Sequence, residues 1–241
     1  MVPRCAHHSY AATRDNRELV RRHGLIIRVV HAIVLASLLV FAPPVCGPIE
    51  AAGQGPEEFQ VDAAASSLIV HVGRAGLFAF AGHVHEIAVP AFGGQVMLDH
   101  VDVARSAVAI EFDATAITVT GRGEPAGDVP EVERVMRSDR VLDVERHPTI
   151  TFVSRRVILV GGSGSRMSLR LEGQLTLRGI TQPVTVPVEV ELAADYLTVT
   201  GKAIVRQTQF GIRPVTAGAG TVRVKDEVEV VFTVVARQVR T

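Results

Sequence analysis

The most constraining feature of the sequence is the stretch 167–192, in which apolar and polar residues alternate. In its first half every second position is apolar apart from Gly173, and after a break at 178–183 the alternation resumes. Only a β-strand turns alternate side chains to opposite faces, so the pattern predicts an antiparallel pair with one dry and one wet face. Pro187 has no N–H donor, and we therefore expect it at an edge of the sheet or with its nitrogen directed away from a partner strand.

The chain after residue 54 repeats this alternation in short runs that are separated by turn residues. Strands are predicted at 59–62, 68–72, 92–98, 108–112, 149–153, 157–160, 197–207 and 221–236. One segment differs: residues 130 to about 139 have apolar side chains at helical spacing, after Asp128 and Glu131 in the positions of a capping box. Eight to ten strands with one short helix are typical of an antiparallel barrel or sandwich, and we expect the helix to lie over an opening in the sheet.

Charge and composition exclude some functions and leave two architectures open. The 25 basic and 25 acidic residues balance, and tryptophan is absent, so the sequence lacks the basic surface and the stacking residues of a nucleic-acid-binding protein. The apolar faces of the strands must be shielded from water, and two architectures can do this. A closed barrel of about eight strands can hold a ligand, whereas a sandwich fills the same space with its own side chains. Periodicity alone does not separate these two alternatives.

Residues 1–53 read as a leader segment in front of a single domain at 54–241. Arginines precede the apolar run 29–42, which is too short to cross a bilayer comfortably and fits a secretory signal followed by small residues at a cleavage site. An uncleaved N-terminal anchor and a buried helix are the alternatives. Both cysteines, Cys5 and Cys46, fall in this segment, so the processed chain would have neither a disulfide nor a thiolate. We expect a periplasmic or secreted protein with no stable membrane span after cleavage.

Two histidines are the sharpest candidates for chemistry. On a regular strand His83 and His85 point the same way, and they could bind zinc together with a third ligand such as His71, His100 or His147. Phe78 and Phe80 occupy the opposite parity, so inward phenylalanines would turn the histidines outward unless Gly82 forms a bulge. We favour a structural or surface role. A role in ligand contact is one alternative, and a metal-dependent enzyme that uses His83 and His85 is the alternative function. No cofactor and no catalytic residue is predicted.

Charged residues near the helix and near the C-terminus are interpreted as ordinary surface. Carboxylates in and after the helix alternate with arginines at ion-pair spacing, which favours a solvated surface over acid/base catalysis. The basic residues toward the C-terminus are Arg206, Arg213, Arg223 and Lys225. They could meet an anionic head group at a barrel mouth, although an ordinary outer face is the favoured interpretation.

Several motifs together resemble the YceI-like family. The motifs are 59–62, 76–82, 147–154, 173–183 and 207–212, in the family's order, and the resemblance spans nearly all of 59–236. It implies an exported, extended lipocalin-like antiparallel barrel that binds polyisoprenoids or other long-chain amphiphiles in its interior, without established catalysis. Two departures are Ala65-Ser66, where the family has His-Ser, and Val141-Leu142, where it has an aromatic pair.

The resemblance implies that Phe78, Phe80, Phe152 and Phe210 belong to motif-bearing strands, with Phe78 and Phe80 as the first candidates for ligand contact. To these we add four apolar residues of the predicted dry faces, the helix and the last motif: Phe112, Met136, Val188 and Ile212. We therefore expect an all-β, extended antiparallel lipocalin-like barrel with one short helix. It would be an exported, non-enzymatic binding protein for a long-chain isoprenoid or fatty-acid-like ligand, with no nucleic-acid partner. A homodimer is left open.

Overall fold

The computed structural model describes residues 55–75, 84–122, 125–217 and 222–240. The predicted leader at 1–53 lies outside the described residues, and so do Cys5 and Cys46. Among the described residues, the helix is not long and apolar enough to span a membrane.

The described residues form twelve strands and one α-helix. The strands are β1 (Glu57–Val61), β2 (Ser67–Ala75), β3 (His85–Ala88), β4 (Phe92–Leu98), β5 (Ala107–Asp113), β6 (Thr118–Val119), β7 (Thr149–Ser163), β8 (Arg166–Leu177), β9 (Ile180–Leu192), β10 (Tyr196–Arg206), β11 (Thr216–Ala217) and β12 (Val222–Gln238). The helix, α1, spans Val129–Arg137. Short 3-10 turns follow β1, β4, β5 and β10.

Eight of the strands close into a barrel. They follow the order β1-β4-β5-β7-β8-β9-β10-β12, and β1 pairs again with β12, always antiparallel. Strands β2, β3 and β6 continue the wall beyond β1, β4 and β5, since β12 pairs with β2, β2 with β3 and β3 with β6. The predicted all-β antiparallel barrel with one short helix is therefore confirmed.

The opening pair of the sequence forms the hairpin β8–β9 around a two-residue turn. Arg178 and Gly179 both have positive φ, 54° and 71°, as in the type I′ turns that match the twist of a hairpin. Gln182 and Pro183 already lie in β9, so the predicted break at 178–183 is wrong beyond Gly179. Ile180 is exposed and Gln182 is polar, so the start of β9 lacks the alternation of apolar and polar residues on which the prediction was based.

Strand β7 is continuous, although two strands at 149–153 and 157–160 were predicted. The register between β7 and β8 shifts between Ser154 and Arg156, which marks a bulge. A bulge adds one residue to one strand and moves the following side chains to the other parity. The inward residues accordingly change from the even-numbered Phe152 to the odd-numbered Val157, both of which are buried.

The helix begins without the predicted capping box. Asp128 has α-region backbone angles and makes no side-chain cap hydrogen bond, whereas an N-cap side chain normally needs an extended backbone. Glu131 instead pairs with Arg134 at 2.6 Å. Glu133 pairs with Arg137 at 3.1 Å, as its four-residue spacing predicts.

A buried carboxylate holds the turn after β4. Asp99 is 1% exposed, and its Oδ1 accepts hydrogen bonds from the backbone N–H groups of Val101 and Asp102 at 3.1 and 2.8 Å. Its Oδ2 accepts from Nε of Arg105 at 2.7 Å. The Asp102 hydrogen bond and the Arg105 guanidinium outweigh burial and hold the pKa of Asp99 below its ordinary value of 3.8.

Candidate functional site

The inward faces of the barrel surround a cavity of about 310 Å³. This volume lies at the lower end of the range of small-molecule sites, about 300–1,000 Å³. Most lining residues are valine, leucine and isoleucine, and the aromatic ones are Phe112, Phe152 and Phe232. A sheet that closes on itself around such a cavity is not a filled β-sandwich, so that alternative is wrong.

The described lining residues of the cavity are uncharged and offer few hydrogen-bond partners. Among the described residues that line it, only Ser106, Thr185 and Gln207 are polar, and none is ionisable. Nε2 of Gln207 already donates to the Lys225 carbonyl at 2.7 Å, and Oγ of Ser106 accepts from the Asp99 N–H at 3.0 Å. Because burying an unpaired polar or charged group is costly, the buried part of any guest must be apolar.

Two inward phenylalanine rings lie over glycines of neighbouring strands. A Cβ atom added at Gly201 would lie 2.4 Å from Cζ of Phe232, and one added at Gly173 would lie 2.6 Å from Cε2 of Phe152. The rings therefore occupy the positions that side chains at 201 and 173 would take. This arrangement keeps the aromatic groups close to the barrel wall and accounts for Gly173 in an otherwise alternating strand.

Five of the predicted ligand-contact residues line the cavity: Phe112, Met136, Phe152, Val188 and Ile212. Phe210 is fully buried but is not among the described lining residues, and Phe78 and Phe80 lie outside the described residues. Phe232 lines the cavity and was missed, although the alternation of β12 contains the signal that would have found it. Contact of these side chains with a ligand stays a prediction.

Helix α1 and the segment after it form part of the cavity wall beside β6. Met136, Val141 and Leu142 line the cavity, and β6 pairs only with β3 among the described strands. Nη2 of Arg137 donates to the Ile117 carbonyl at 3.0 Å, next to β6. In the segment after the helix, the carbonyls of residues 139 and 141 accept hydrogen bonds from Nη2 and Nη1 of Arg178 at 2.5 and 3.4 Å. The helix thus covers a gap in the sheet, as predicted.

The histidine pair is only partly described. His83 lies outside the described residues, while His85 lies in β3 opposite the lining residue Val72. This register places His85 on the inner parity of the wall with Ile87. The expectation of an outward side chain depended on Phe78, Phe80 and Gly82, which lie outside the described residues. Within the described ranges, no three His, Cys, Asp or Glu residues lie close enough together to bind a metal ion. A site that includes His83 stays a prediction.

The basic residues near the C-terminus border a surface groove. Arg206, Arg223 and Lys225 line it together with Asp226 and Glu227. Arg206 pairs with Glu227 at 3.0 Å, and the side chains of Arg223 and Lys225 are exposed. The mixture of both charge signs supports the interpretation of this region as outer surface.

The fold and the cavity define the class of protein. An eight-stranded antiparallel barrel around an apolar cavity is a lipocalin-like barrel, in which the cavity takes the place of a packed core. Residues 59–236 match the family model of the YceI-like domain, and the chain belongs to the YceI-like family. None of the curated proteins matches the sequence.

Solved structures share this fold at low sequence identity. Burkholderia cenocepacia BcnA is 23% identical with a TM-score of 0.56, and the match covers 73% of this chain and 98% of BcnA. A polyisoprenoid binding domain from Saccharophagus degradans, implicated in plant cell wall breakdown, is 13% identical with a TM-score of 0.55 over 75% of this chain and 98% of that domain. The Campylobacter jejuni YceI protein is 11% identical with a TM-score of 0.51 over 64% and 85%.

Proposed function

We propose that this protein is a non-enzymatic carrier or scavenger that holds a long-chain apolar or amphiphilic molecule in the barrel cavity. The observation that carries the proposal is the cavity itself, about 310 Å³ with no ionisable group among its described lining residues. A related barrel, the Saccharophagus degradans domain, is described as polyisoprenoid-binding, which supports an isoprenoid or fatty-acid-like guest.

The chemistry of the wall favours binding over catalysis. General acid/base and nucleophilic catalysis need a titratable or activated side chain beside the substrate, and the described lining residues supply none. An apolar wall instead removes alkyl groups from water at about 0.8 kcal/mol per buried CH₂. Ten buried CH₂ groups would thus gain roughly 8 kcal/mol before the entropic cost of association is subtracted.

The leader-like sequence at 1–53 supports action outside the cytoplasm, in the periplasm or after secretion. Its basic flank and short apolar run have the composition of a secretory signal. Cell fractionation with mass determination of the purified protein tests this part. We expect a species that lacks about the first 53 residues outside the cytoplasm, and a full-length cytoplasmic protein would contradict it.

The central experiment is native mass spectrometry and solvent extraction of protein purified from its own host, followed by titration with all-trans-retinol, a slender fluorescent isoprenoid alcohol. We expect a copurified long-chain lipid that retinol displaces. Val188→Lys should abolish retinol binding, because Val188 is 3% exposed and faces an uncharged cavity. Thr200→Lys is the matched control, since Thr200 is exposed one register step away. Repeated absence of lipid together with no retinol uptake would refute the proposal.

A further inference from the structure

Strands β9 and β10 are paired over only part of their length. Their register joins 197–201 of β10 to 188–192 of β9 and stops there, although β9 begins at Ile180 and β10 ends at Arg206. On its other side, β9 pairs with β8 along its whole length up to the turn. Residues 180–187 of β9 and 202–206 of β10, all of them described, therefore have no paired residues in the other strand.

Two prolines explain why the ladder stops. The N–H of Leu192 donates to the Ser165 carbonyl at 2.8 Å, on the β8 side. N–H directions alternate along a strand and the β8–β9 register has no shift, so odd-numbered residues of β9 direct their N–H groups toward β10. Pro183 and Pro187 are odd-numbered and have no N–H. Only Thr185 between them can donate toward β10, and Pro187 lies where β9 has no paired residue in β10, which agrees with the expected position at an edge.

The cavity reaches the protein surface at the same place. Along the other described strands of the barrel, the lining residues alternate, whereas on β9 and β10 consecutive residues line the cavity, at 184–186 and 203–205. Thr185 is exposed and Ile204 is 55% exposed, yet both line the cavity. Continuing the register from Gly201 and Val188 places Ile204 opposite Thr185. We call residues 184–187 and 202–205 the β9–β10 window.

Both ends of the window are closed by contacts between the same chain segments. The pair Gly201 and Val188 bounds it on one side. On the other side, Nε2 of Gln182 donates to the Gln209 carbonyl at 3.1 Å and joins β9 to the turn after β10. The window is therefore a bounded gap in the wall, about four residues long on each strand.

We propose that the β9–β10 window is the portal through which the long-chain ligand enters and leaves the cavity. This inference rests on the proposed binding function. No residue pair of the β9–β10 register lies within the window, so the two strands can separate here with less disruption of the ladder than between fully paired strands. The exposed Ile204 gives the portal an apolar lip, and the gap suits a slender chain that moves sideways through the wall.

A crosslink across the window tests this portal. Cys5 and Cys46 are replaced by serine in the full chain, which removes all native thiols because the sequence has 2 cysteines. Thr185→Cys/Ile204→Cys is then joined by a cleavable bis-thiol crosslinker. The matched control, Glu189→Cys/Thr200→Cys, joins the same two strands where they are already paired. Retinol release is followed by fluorescence in a stopped-flow instrument after mixing with excess lipid vesicles.

We expect the window crosslink to slow retinol release at least tenfold, and cleavage of the linker to restore the rate. The control crosslink should leave release within twofold of the uncrosslinked protein. Equal rates for both crosslinked proteins would overturn the portal, while retinol binding itself would still support the proposed function. Absence of retinol binding before crosslinking would overturn both.

A second variant decides the matter if the crosslink does not form. Pro183→Thr/Pro187→Thr returns two N–H donors to the β10 side of β9 and lets the ladder extend. We expect slower release at unchanged retinol affinity, together with new amide protection at 183 and 187 in hydrogen exchange. New protection with an unchanged release rate would overturn the portal, and so would the absence of both protection and any rate change.

Discussion

The position of the Phe232 ring over Gly201 leads to a quantitative prediction about the stability of a variant with a side chain at 201. A Cβ atom at 201 would lie 2.4 Å from Cζ of Phe232 and 3.0 Å from the Pro187 carbonyl oxygen. Carbon atoms in contact are normally about 3.5–4.0 Å apart, so Gly201→Ala must displace the ring by about 1 Å or more. Because the backbone at 201 has no positive φ, this contact is the source of the strain.

The expected magnitude follows from two opposing effects. Replacing glycine by alanine lowers the entropy of the unfolded chain and stabilises the folded protein by about 0.4–1 kcal/mol where the new side chain fits. Overpacking costs about 1–3 kcal/mol. We therefore expect Gly201→Ala to lower the free energy of unfolding by about 1–2 kcal/mol. Gly161→Ala is the control, because nothing lies within 4 Å of its Cβ position, and it should be neutral or slightly stabilising.

Urea unfolding followed by circular dichroism measures these differences. Phe232→Leu in the Gly201→Ala background should recover part of the loss, which gives a coupling free energy above about 0.5 kcal/mol in a double-mutant cycle. If Gly201→Ala is as stable as Gly161→Ala, or if the cycle shows no coupling, the ring does not hold the position and the argument fails.

Three further variants test other parts of the fold. Asp99 has a pKa below its ordinary value, so its ionised form stabilises the protein above pH 3.8, and this contribution is lost as pH falls through the lowered pKa. In urea unfolding at a series of acid pH values, the free energy of unfolding of Asp99→Asn should therefore fall less steeply with decreasing pH than that of the wild type. Gly179→Ala should lower stability by about 1–3 kcal/mol in urea, because φ at 179 is 71°; an unchanged midpoint would contradict this. Met136→Ala removes a side chain that is 6% exposed and should lower the stability by about 2–5 kcal/mol in thermal unfolding. The destabilisation should be smaller when retinol fills the space. An equal destabilisation at saturating retinol would contradict the place of Met136 in the cavity wall.

The alternation of apolar and polar residues predicted most residues of the cavity wall, because this pattern depends only on which face of a strand meets water. Val188 and Phe112 were identified this way and line the cavity. Local patterns do not reveal bulges, since the extra residue at 154–156 leaves no mark in composition. The orientation of His85 was predicted only relative to Phe78 and Phe80; these two residues lie outside the described residues, so that relation stays a prediction. Closure of β1 against β12 joins residues far apart in sequence, and the pattern contains no record of that pairing.

The window was only half visible in the sequence. Pro187 marks a position without a donor, and the register places it where β9 has no paired residue in β10, as expected of a proline at an edge. Its meaning depends on Pro183, which shares the parity of Pro187 and was assigned to a break rather than to the strand. Two donors missing on the same side of one strand stop a ladder, whereas a single missing donor is compatible with a continuous sheet.

The open cavity also predicts that ligand and stability are linked. Unfilled apolar space costs about 24 cal/mol per Å³ in core mutants, and at this rate a cavity of 310 Å³ corresponds to roughly 7 kcal/mol relative to a filled interior. A ligand that binds only the folded state, at 100 times its Kd, adds about 2.7 kcal/mol, or about 5–10 °C in Tm for a domain of this size. Protein stripped of lipid by solvent or detergent should therefore melt lower than protein as purified, and added retinol should restore the Tm. Gly161→Ala should show the same shift as the wild type. A Tm that does not change while retinol is shown to be bound would mean that the guest does not fill the cavity, because any ligand confined to the folded barrel must stabilise it.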